Sequence, residues 1–543
     1  MGAEAAQTEA VGLRAAWWRG AVIYQIYPRS FRDTNGDGVG DLRGVLEKLD
    51  YVASLGVDGI WLSPFYRSPM RDFGYDVSDY CNVDPLFGTL ADFDAILERA
   101  HTLGLKVIID QVWSHTSNLH PWFVESAGSR DNPKADWYVW ADAKPDGSPP
   151  NNWQATFGGP SWTWNPRRRQ YYLHNFLSEQ PDLNYWNPAV QDAILDVARF
   201  WLDRGVDGFR LDVINYIFHD RALTDNPPAH YNRPPGTTVQ FQRHLHDRSQ
   251  PEALDFLGRI RALTDSYDAR MMVGEVFDDA MLARQQDYTA TPSRLHTAYS
   301  FFLLYAPEAT PRLFAEALGS WSEASGWPSW SLGNHDVDRV ASRLATGGRA
   351  HADVLMAVLM CLRGTIFVYQ GEELGLPQAD VPFEKLQDPF AIAAYTGESG
   401  RDGARTPMPW TEDGPSAGFS ASAATWLPVD GRHRRMAVSL QEAQVQSALN
   451  VTRGLIHLRR SSPTLQLGEA VVRQTAPGVL AFERRTADER LLCLFELAGE
   501  ATTAIAGTPA TVLGSVNGGS LSSDGEVVLP PYGGAVLRLD PTS

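Results

Sequence analysis

Apolar residues along this chain fall into two alternating rhythms. Short β-rich runs come first, as in Val22 to Tyr27, where nearly every position is apolar or aromatic. Longer stretches at helical spacing follow. Leu42, Val45, Leu46, Leu49 and Val52 line one face of a helix predicted from Asp41 to Leu55. Gly59 to Leu62 reads as a second strand. Thr89 is placed to cap a helix running to Leu103, which Gly104 ends, and Lys106 to Asp110 reads as a third strand. Further strands are predicted at Gly208 to Val213, Met271 to Val276, Thr297 to Phe302, Trp330 to Gly333 and Thr365 to Tyr369, with helices between most of them. Repeated strand-then-helix units predict a parallel α/β architecture, and eight such strands favour a closed (β/α)8 TIM barrel over an open sheet.

Two stretches break the rhythm. Between 116 and 184 there is no clean strand–helix unit but many Trp, Pro, Asn and Gly residues, too long a stretch for a simple loop. It reads as a small domain inserted after strand 3. Beyond Thr464, short β-rich runs such as Val479 to Glu483, Leu491 to Phe495 and Ala535 to Leu537 alternate with Gly/Ser/Pro turns, the pattern of a C-terminal antiparallel β-sandwich. The expected organisation is barrel over 1–115 with an N-terminal arm, insertion over 116–184, barrel again over 185–464, and sandwich over 465–543.

Composition narrows the partners. The net charge of −18 repels phosphate backbones, and the chain has no basic run, so nucleic acid is disfavoured. An uncharged sugar meets no such barrier, and 17 Trp and 19 Tyr supply flat faces that stack on sugar rings as readily as they fill cores. Three cysteines, Cys81, Cys361 and Cys493, are too few and too far apart for a disulfide framework or a zinc motif; reduced, buried thiols are expected. Nothing approaches a membrane span, and the Ala-rich, acid-bearing start from Met1 to Ala16 lacks the features of a signal peptide. The expectation is a cytoplasmic protein, a monomer or small homo-oligomer, with no membrane partner.

Candidate chemistry collects where strands end. In a barrel of this kind the C-terminal strand ends face the active site. The third strand ends at Asp110, with His115 just beyond; the fourth carries Arg210 and Asp212 and the fifth Glu275; the seventh leads into Gly333-Asn334-His335-Asp336, and Gly74-Tyr75-Asp76 comes after the second. Each alone has an ordinary alternative as a capping Asp, a solvated Glu or a satisfied His. Recurrence at five strand ends argues for a common mouth. That mouth holds no obvious metal set, phosphate loop or activated serine. Paired carboxylates suit glycosidic cleavage, one attacking the sugar carbon and the other protonating the leaving oxygen. Arg210 lies on the same strand face as Asp212 and would keep it ionised. Glu275, flanked by Val273 and Val276, is expected in an apolar setting that suits an acid.

The segments Asp110-Gln111-Val112-Trp113-Ser114-His115, Gly208-Phe209-Arg210-Leu211-Asp212, Gly274-Glu275-Val276 and Asn334-His335-Asp336 resemble the four short regions of glycoside hydrolase family 13, the α-amylase family, in order and spacing. The resemblance implies that Asp212 is the nucleophile, Glu275 the general acid/base and Asp336 the transition-state stabiliser, with Tyr75, Asp76, His115, Arg210 and His335 binding the sugar. Gln180-Pro181-Asp182-Leu183-Asn184 and Gly400-Arg401-Asp402-Gly403-Ala404-Arg405-Thr406-Pro407-Met408-Pro409-Trp410 resemble markers of the oligo-1,6-glucosidase and α-glucosidase subfamily. In that group the residue matching Arg401 pairs with the one matching Asp76 and blocks the pocket, implying exo-action on oligosaccharides; Phe157 and Phe176 are candidate pocket walls or plain core. Ser114 departs from the usual Asn and resembles a branch that prefers short substrates such as maltose.

The run Asp33 to Asp41 offers oxygen ligands at alternate positions, like the opening of an EF-hand loop, but Gly44 stands where that loop has its Glu. Related α-glucosidases imply one structural divalent cation here, Ca²⁺ or Mg²⁺, held by Asp33, Asn35, Asp37 and Asp41 side chains and the Val39 carbonyl. No cofactor is expected for catalysis. Val213, directly after the nucleophile, implies α-1,6 linkage by resemblance; Ser114 and the segment from Tyr216 to Pro251, stiffened by Asn226-Pro227-Pro228 and Arg233-Pro234-Pro235-Gly236, imply maltose-type α-1,4 substrates, which are favoured. A glucosyl-transferring or trehalose-forming relative is the alternative enzyme. A non-catalytic homologue is disfavoured because all three acids are kept.

Overall fold

The computed structural model describes residues 16–229, 238–321, 326–393, 400–506 and 509–540. Residues 1–15 of the expected N-terminal arm and Arg233 to Gly236 lie outside them. The chain divides into two compact units, one of Met1–Leu62, Ala95–Val107 and Tyr299–Ser543, the other of Ser63–Asp94 and Ile108–Ala298.

In the first unit, Val22–Ile26, Gly59–Leu62, Ser329–Trp330 and Thr365–Tyr369 are barrel strands one, two, seven and eight. They pair in parallel, strand one between strands two and eight, with seven beyond eight. Lys106–Gln111, Gly208–Leu211, Met271–Val276 and Thr297–Ser300, which lie in the second unit but for their outer residues Lys106, Val107, Tyr299 and Ser300, are strands three to six, neighbours in sequence order. Each set is fully buried or nearly so, as expected where helices cover both faces of a parallel sheet. Together they are the eight strands of the expected (β/α)8 barrel.

The helices begin where their caps dictate. Asp41 accepts the Gly44 N–H at 2.7 Å, so the first long helix runs Leu42–Ser54. The Thr89 hydroxyl and the Asp92 carboxylate hold each other's backbone N–H groups at 3.3 and 2.9 Å before the helix Leu90–Thr102. Gly104, at φ +77°, ends that turn in a left-handed conformation that costs a glycine nothing. Several strands stop early: the first ends at Ile26 rather than Tyr27, and the seventh at Trp330 rather than Gly333. The fourth ends at Leu211 rather than Val213, because Val213 turns to φ 33°, ψ 48° and starts the 3-10 turn Ile214–Tyr216. The sixth ends at Ser300, where the helix Phe301–Leu304 begins.

After the third strand, Trp140–Ala141, Gln170–Leu173 and Trp162–Asn165 form a small antiparallel sheet with Gln170–Leu173 in the middle. Its own core is Val139, Trp153, Trp162 and Leu173, the two indoles stacked at 6.1 Å. At the C-terminus a five-stranded and a three-stranded antiparallel sheet enclose one core, with Ala481 and Leu494 from one and Val527 and Leu529 from the other. Cys361 and Cys493 are buried free thiols, as expected. Cys81 is only half-buried, since it sits in the two-stranded hairpin of Tyr66–Arg67 and Asp79–Val83. Among the described residues no helix is long and apolar enough to cross a membrane.

Within the first unit a buried guanidinium anchors the helix Ala448–Arg460 to the barrel. Arg459, 0% exposed, donates to the carbonyls of Gly20 (2.9 Å), Met360 (2.7 Å), Leu362 (2.9 Å) and Gly364 (2.6 Å). Its neighbour Arg460 is half-exposed and lies 3.4 Å from Asp58. Arg459→Ala strands four buried acceptors and is expected to cost at least ~3 kcal/mol, read as a clear drop in melting temperature. Arg460→Ala is expected to cost under about 1 kcal/mol. Equal shifts for the two variants would contradict the anchor.

Candidate active site

The second unit carries most of the expected site. Asp110 stands beside Arg210 in the register of strands three and four, and Gly274 beside Leu211 in that of four and five, so Asp212 and Glu275 follow one step on. Arg210 has no exposed surface. Its guanidinium lies 2.7 Å from Asp110 Oδ1, 2.6 Å from Asp212 Oδ1 and 2.6 Å from Glu275 Oε2. One fixed positive charge therefore gathers three carboxylates in a nearly dry place. Burial pushes the Asp110 carboxyl up to about 6, with the Glu275 charge adding to the rise and Arg210 opposing it. The Tyr75 hydroxyl donates to Asp110 Oδ2 at 3.1 Å.

Glu275 is not in the apolar setting expected of it. Val276 points to the opposite face of the strand. What Glu275 meets instead is Arg210 from the neighbouring strand and the Val213 N–H at 3.1 Å. Val213 is a β-branched residue in the left-handed region, where such residues rarely sit. The turn that strains it also delivers its N–H to Glu275, a contact no side-chain pattern shows.

His115 is neutral in the physiological range, since burial drops it to about 4. The Ser114 hydroxyl lies 2.8 Å from its Nδ1 and the Tyr75 carbonyl 3.1 Å from its Nε2. An Nε2–H tautomer satisfies both, so serine supports the ring where asparagine is usual. Gln180, from the marker segment, donates to Asp72 at 3.2 Å, and its amide nitrogen lies 3.1 Å from His115 Nε2 as a contact, since in that tautomer both atoms are donors. Phe176 packs on His115 with ring centroids 5.2 Å apart, and on Tyr216 and Phe157 at 5.6 and 5.8 Å. Both phenylalanines are thus placed with the site residues. Asp76 accepts from the Ser68 hydroxyl at 2.8 Å and from the N–H groups of Arg71 and Asp72 at 2.9 and 3.0 Å. Burial raises its carboxyl above the usual range despite these donors.

The first unit holds a second cluster. Gln25, the polar residue in the first strand, donates to His335 Nδ1 at 2.8 Å, which leaves the proton on Nε2, 3.1 Å from Asp336 Oδ2. Tyr27 stacks on that imidazole at 5.6 Å and Trp61 meets it edge-on at 6.1 Å. Arg405 donates to the His335 carbonyl and to Asp336 Oδ1, both at 2.7 Å; Arg401 is 3.4 Å from the same oxygen. Asp388 grips Arg401 at 2.8 Å, and although burial alone would raise it, Arg401 holds its carboxyl below the usual range. The sequence pattern gives Gln25, Arg405 and Asp388 no role in the site. Gln25 was visible as a polar residue inside an apolar run; Asp388 left no signal.

The Asp33 to Asp41 loop lies apart from these acids in the sequence. Asp33 accepts the N–H groups of Asn35, Gly36 and Gly38 and the Ser420 hydroxyl; Asn35 accepts from Asp37, and Asp37 from Val39. Asp41 accepts from Thr34 and caps the following helix. Among the described residues no three His, Cys, Asp or Glu side chains converge closely enough to hold an ion. Both oxygens of Asp33 already take two donors each, and so do those of Asp41, while each Asp37 oxygen takes one; the residue types are those a hard cation uses, and the present arrangement is closed by N–H and hydroxyl groups.

Residues 25–468 match the family model for the α-amylase catalytic domain. A probable α-glucosidase of Rhizobium meliloti is 51% identical over 96% of this chain and 97% of its own. An oligo-1,6-glucosidase of Heyndrickxia coagulans is 38% identical over 88% and 91%. The crystal structure of an α-glucosyl transfer enzyme, XgtA, superposes with a TM-score of 0.93 at 49% identity, covering 96% of this chain and 99% of that one. With the acids of its four short regions gathered on Arg210 and around His335, the chain belongs to the α-amylase family of glycoside hydrolases.

Proposed function

We propose that this protein is an exo-acting, retaining α-glucosidase that removes or transfers the terminal α-glucosyl unit of short oligosaccharides. The observation that carries the reading is the cluster on Arg210, where two family-matched carboxylates, Asp212 and Glu275, share one buried cation. Asp212 attacks the anomeric carbon and forms a glucosyl ester while Glu275 protonates the leaving oxygen; Glu275 then takes a proton from water or a sugar hydroxyl, which opens the ester. Arg210 keeps Asp212 ionised for attack. Asp336, held by His335 and Arg405, stabilises the positive charge that develops on the sugar. Tyr75, Asp76, His115, Phe157, Phe176 and Arg401 hold the sugar itself. The glucosyl transfer named for XgtA supports a second outcome from the same intermediate, with a hydroxyl acceptor in place of water. The acidic composition supports a cytoplasmic setting, as a monomer or small homo-oligomer.

The acid role of Glu275 has a distinctive signature. Proton donation is worth about 10²–10⁴-fold on a poor leaving group. Glu275→Gln is expected to lose that factor on maltose and far less on an aryl glucoside with an acidic phenol. Equal losses on both would remove Glu275 from the first step.

Maltose-type α-1,4 substrates are the proposed preference. Val213 argues for α-1,6, but one methyl group shifts discrimination by only about 1–3 kcal/mol, and its backbone is committed to Glu275. The loop after strand four shapes the acceptor side. The expected order of kcat/KM is maltose above isomaltose, with maltohexaose below maltose. Isomaltose ahead by about tenfold, ~1.4 kcal/mol, would reverse the linkage assignment, and undiminished activity on maltohexaose would remove the loop argument.

A structural divalent cation, Ca²⁺ or Mg²⁺, is proposed for the loop of Asp33, Asn35, Asp37, Val39 and Asp41, on the strength of its alternating oxygens. It takes no part in the chemistry. Binding to the folded state stabilises by roughly RT ln(1+[L]/Kd), so chelation is expected to lower the melting temperature and Ca²⁺ or Mg²⁺ to restore it. No shift after verified metal removal would eliminate the site.

A further inference from the structure

Behind the Asn334-His335-Asp336 turn lies a cavity of about 20 Å³, lined by Asn334, Arg339 and Glu372 among apolar neighbours such as Leu332, Met356 and Leu376. Three buried polar atoms of that lining, Asn334 Nδ2, Arg339 Nε and Glu372 Oε1, have no hydrogen-bond partner among the described residues. Every other hydrogen-bonding end of these side chains is committed. Asn334 Oδ1 accepts the Asp336 N–H at 2.8 Å, which fixes the amide so that Nδ2 is the remaining end. Arg339 spends its two terminal nitrogens on the carbonyls of Gln370 and Ala404 at 3.0 and 2.8 Å. Glu372 Oε2 accepts the Tyr369 N–H at 2.8 Å. Glu372 also presses close to the turn, for a methyl group placed on Gly333 would lie 3.3 Å from Oε1.

Orphaned donors and acceptors in a protein interior are costly, because nothing replaces the hydrogen bonds they made to water. A cavity needs about 10–15 Å³ and two to four polar partners to hold a water. This one meets both conditions, with two N–H donors and one carboxyl oxygen. We infer that this cavity binds one internal water bridging Asn334, Arg339 and Glu372, and that Glu372 is through it a positioning residue for Asp336. The water accepts from both N–H groups and donates to Glu372 Oε1. Burial pushes the Glu372 carboxyl up to about 8, and a water donating to Oε1 works against that rise. The strut runs from the end of strand eight, through Glu372 and the water, to the Asn334 amide, and from its oxygen to the backbone of Asp336. Glu372 touches no reacting atom in this scheme; it acts by keeping Asn334, and so Asp336, in one place. The inference rests on Asp336 being the stabiliser, while the water itself is seen whatever Asp336 does.

The test is a crystal structure of the full-length protein at a resolution that shows ordered waters, with kinetics of two variants. The expected structure has one water within hydrogen-bond distance of the three atoms; a dry cavity, or side chains turned onto each other, overturns the proposal. Glu372→Leu removes the strut's anchor, and kcat on maltose is expected to fall by roughly tenfold with KM within about twofold, the loss for a displacement smaller than the ~1 Å that costs about 10²-fold. Glu372→Gln keeps a hydrogen-bonding end on the cavity and is expected to recover most of that loss. Unchanged kcat in a folded Glu372→Leu protein overturns the positioning role. So does a loss that glutamine does not relieve.

Discussion

A single guanidinium without solvent contact organises the candidate site. Arg210 sits between strands three and five and meets three carboxylates at 2.6–2.7 Å. Buried charges are tolerated when paired, and a lone carboxylate at any of these positions would be expensive. The arrangement leaves two carboxylates in excess of the cation. The cost of that excess shows at Asp110, the fully buried member, whose carboxyl is pushed up to about 6 by burial, with the Glu275 charge adding to the rise. Its hydroxyl partner, Tyr75, needs no charge change to serve either state. The chemistry asked of Asp212 and Glu275 therefore depends on where one arginine points, and that direction is set by strand pairing.

The second cluster solves a different problem. Asp336 is partly open, with 23% of its side chain exposed, and is steadied from several directions. Arg405 and Arg401 bring charge, His335 brings an N–H whose tautomer Gln25 sets, and Tyr27 and Trp61 hold that ring in place. A transition-state stabiliser benefits from such pre-organisation, because nothing then has to reorient as charge develops. Asp388 extends the same logic one step outward by fixing Arg401.

The fold was legible because its physics is local. Val22, Ile23 and Tyr24 write a buried parallel strand into adjacent positions, and Leu42, Val45, Leu49 and Val52 write a helix face at their own spacing. The acids were legible because they sit at strand ends in a recognisable order. What the sequence does not show depends on contacts between distant segments. Gln25 and His335 are 310 residues apart, and Arg405 and Asp336 are 69. The polar setting of Glu275 comes from the neighbouring strand, while the sequence shows only Val273 and Val276 beside it. The left-handed Val213 runs against its own propensity, so no local rule predicts it.

Trapping the covalent intermediate tests the account most directly. A fluorinated α-glucosyl fluoride that forms the glucosyl ester faster than water opens it would be incubated with the protein, and the labelled peptide mapped by mass spectrometry. The account predicts one glucosyl adduct, on Asp212, absent from Asp212→Asn. An adduct on Asp110 or Glu275, or turnover with inversion and no adduct, would contradict it.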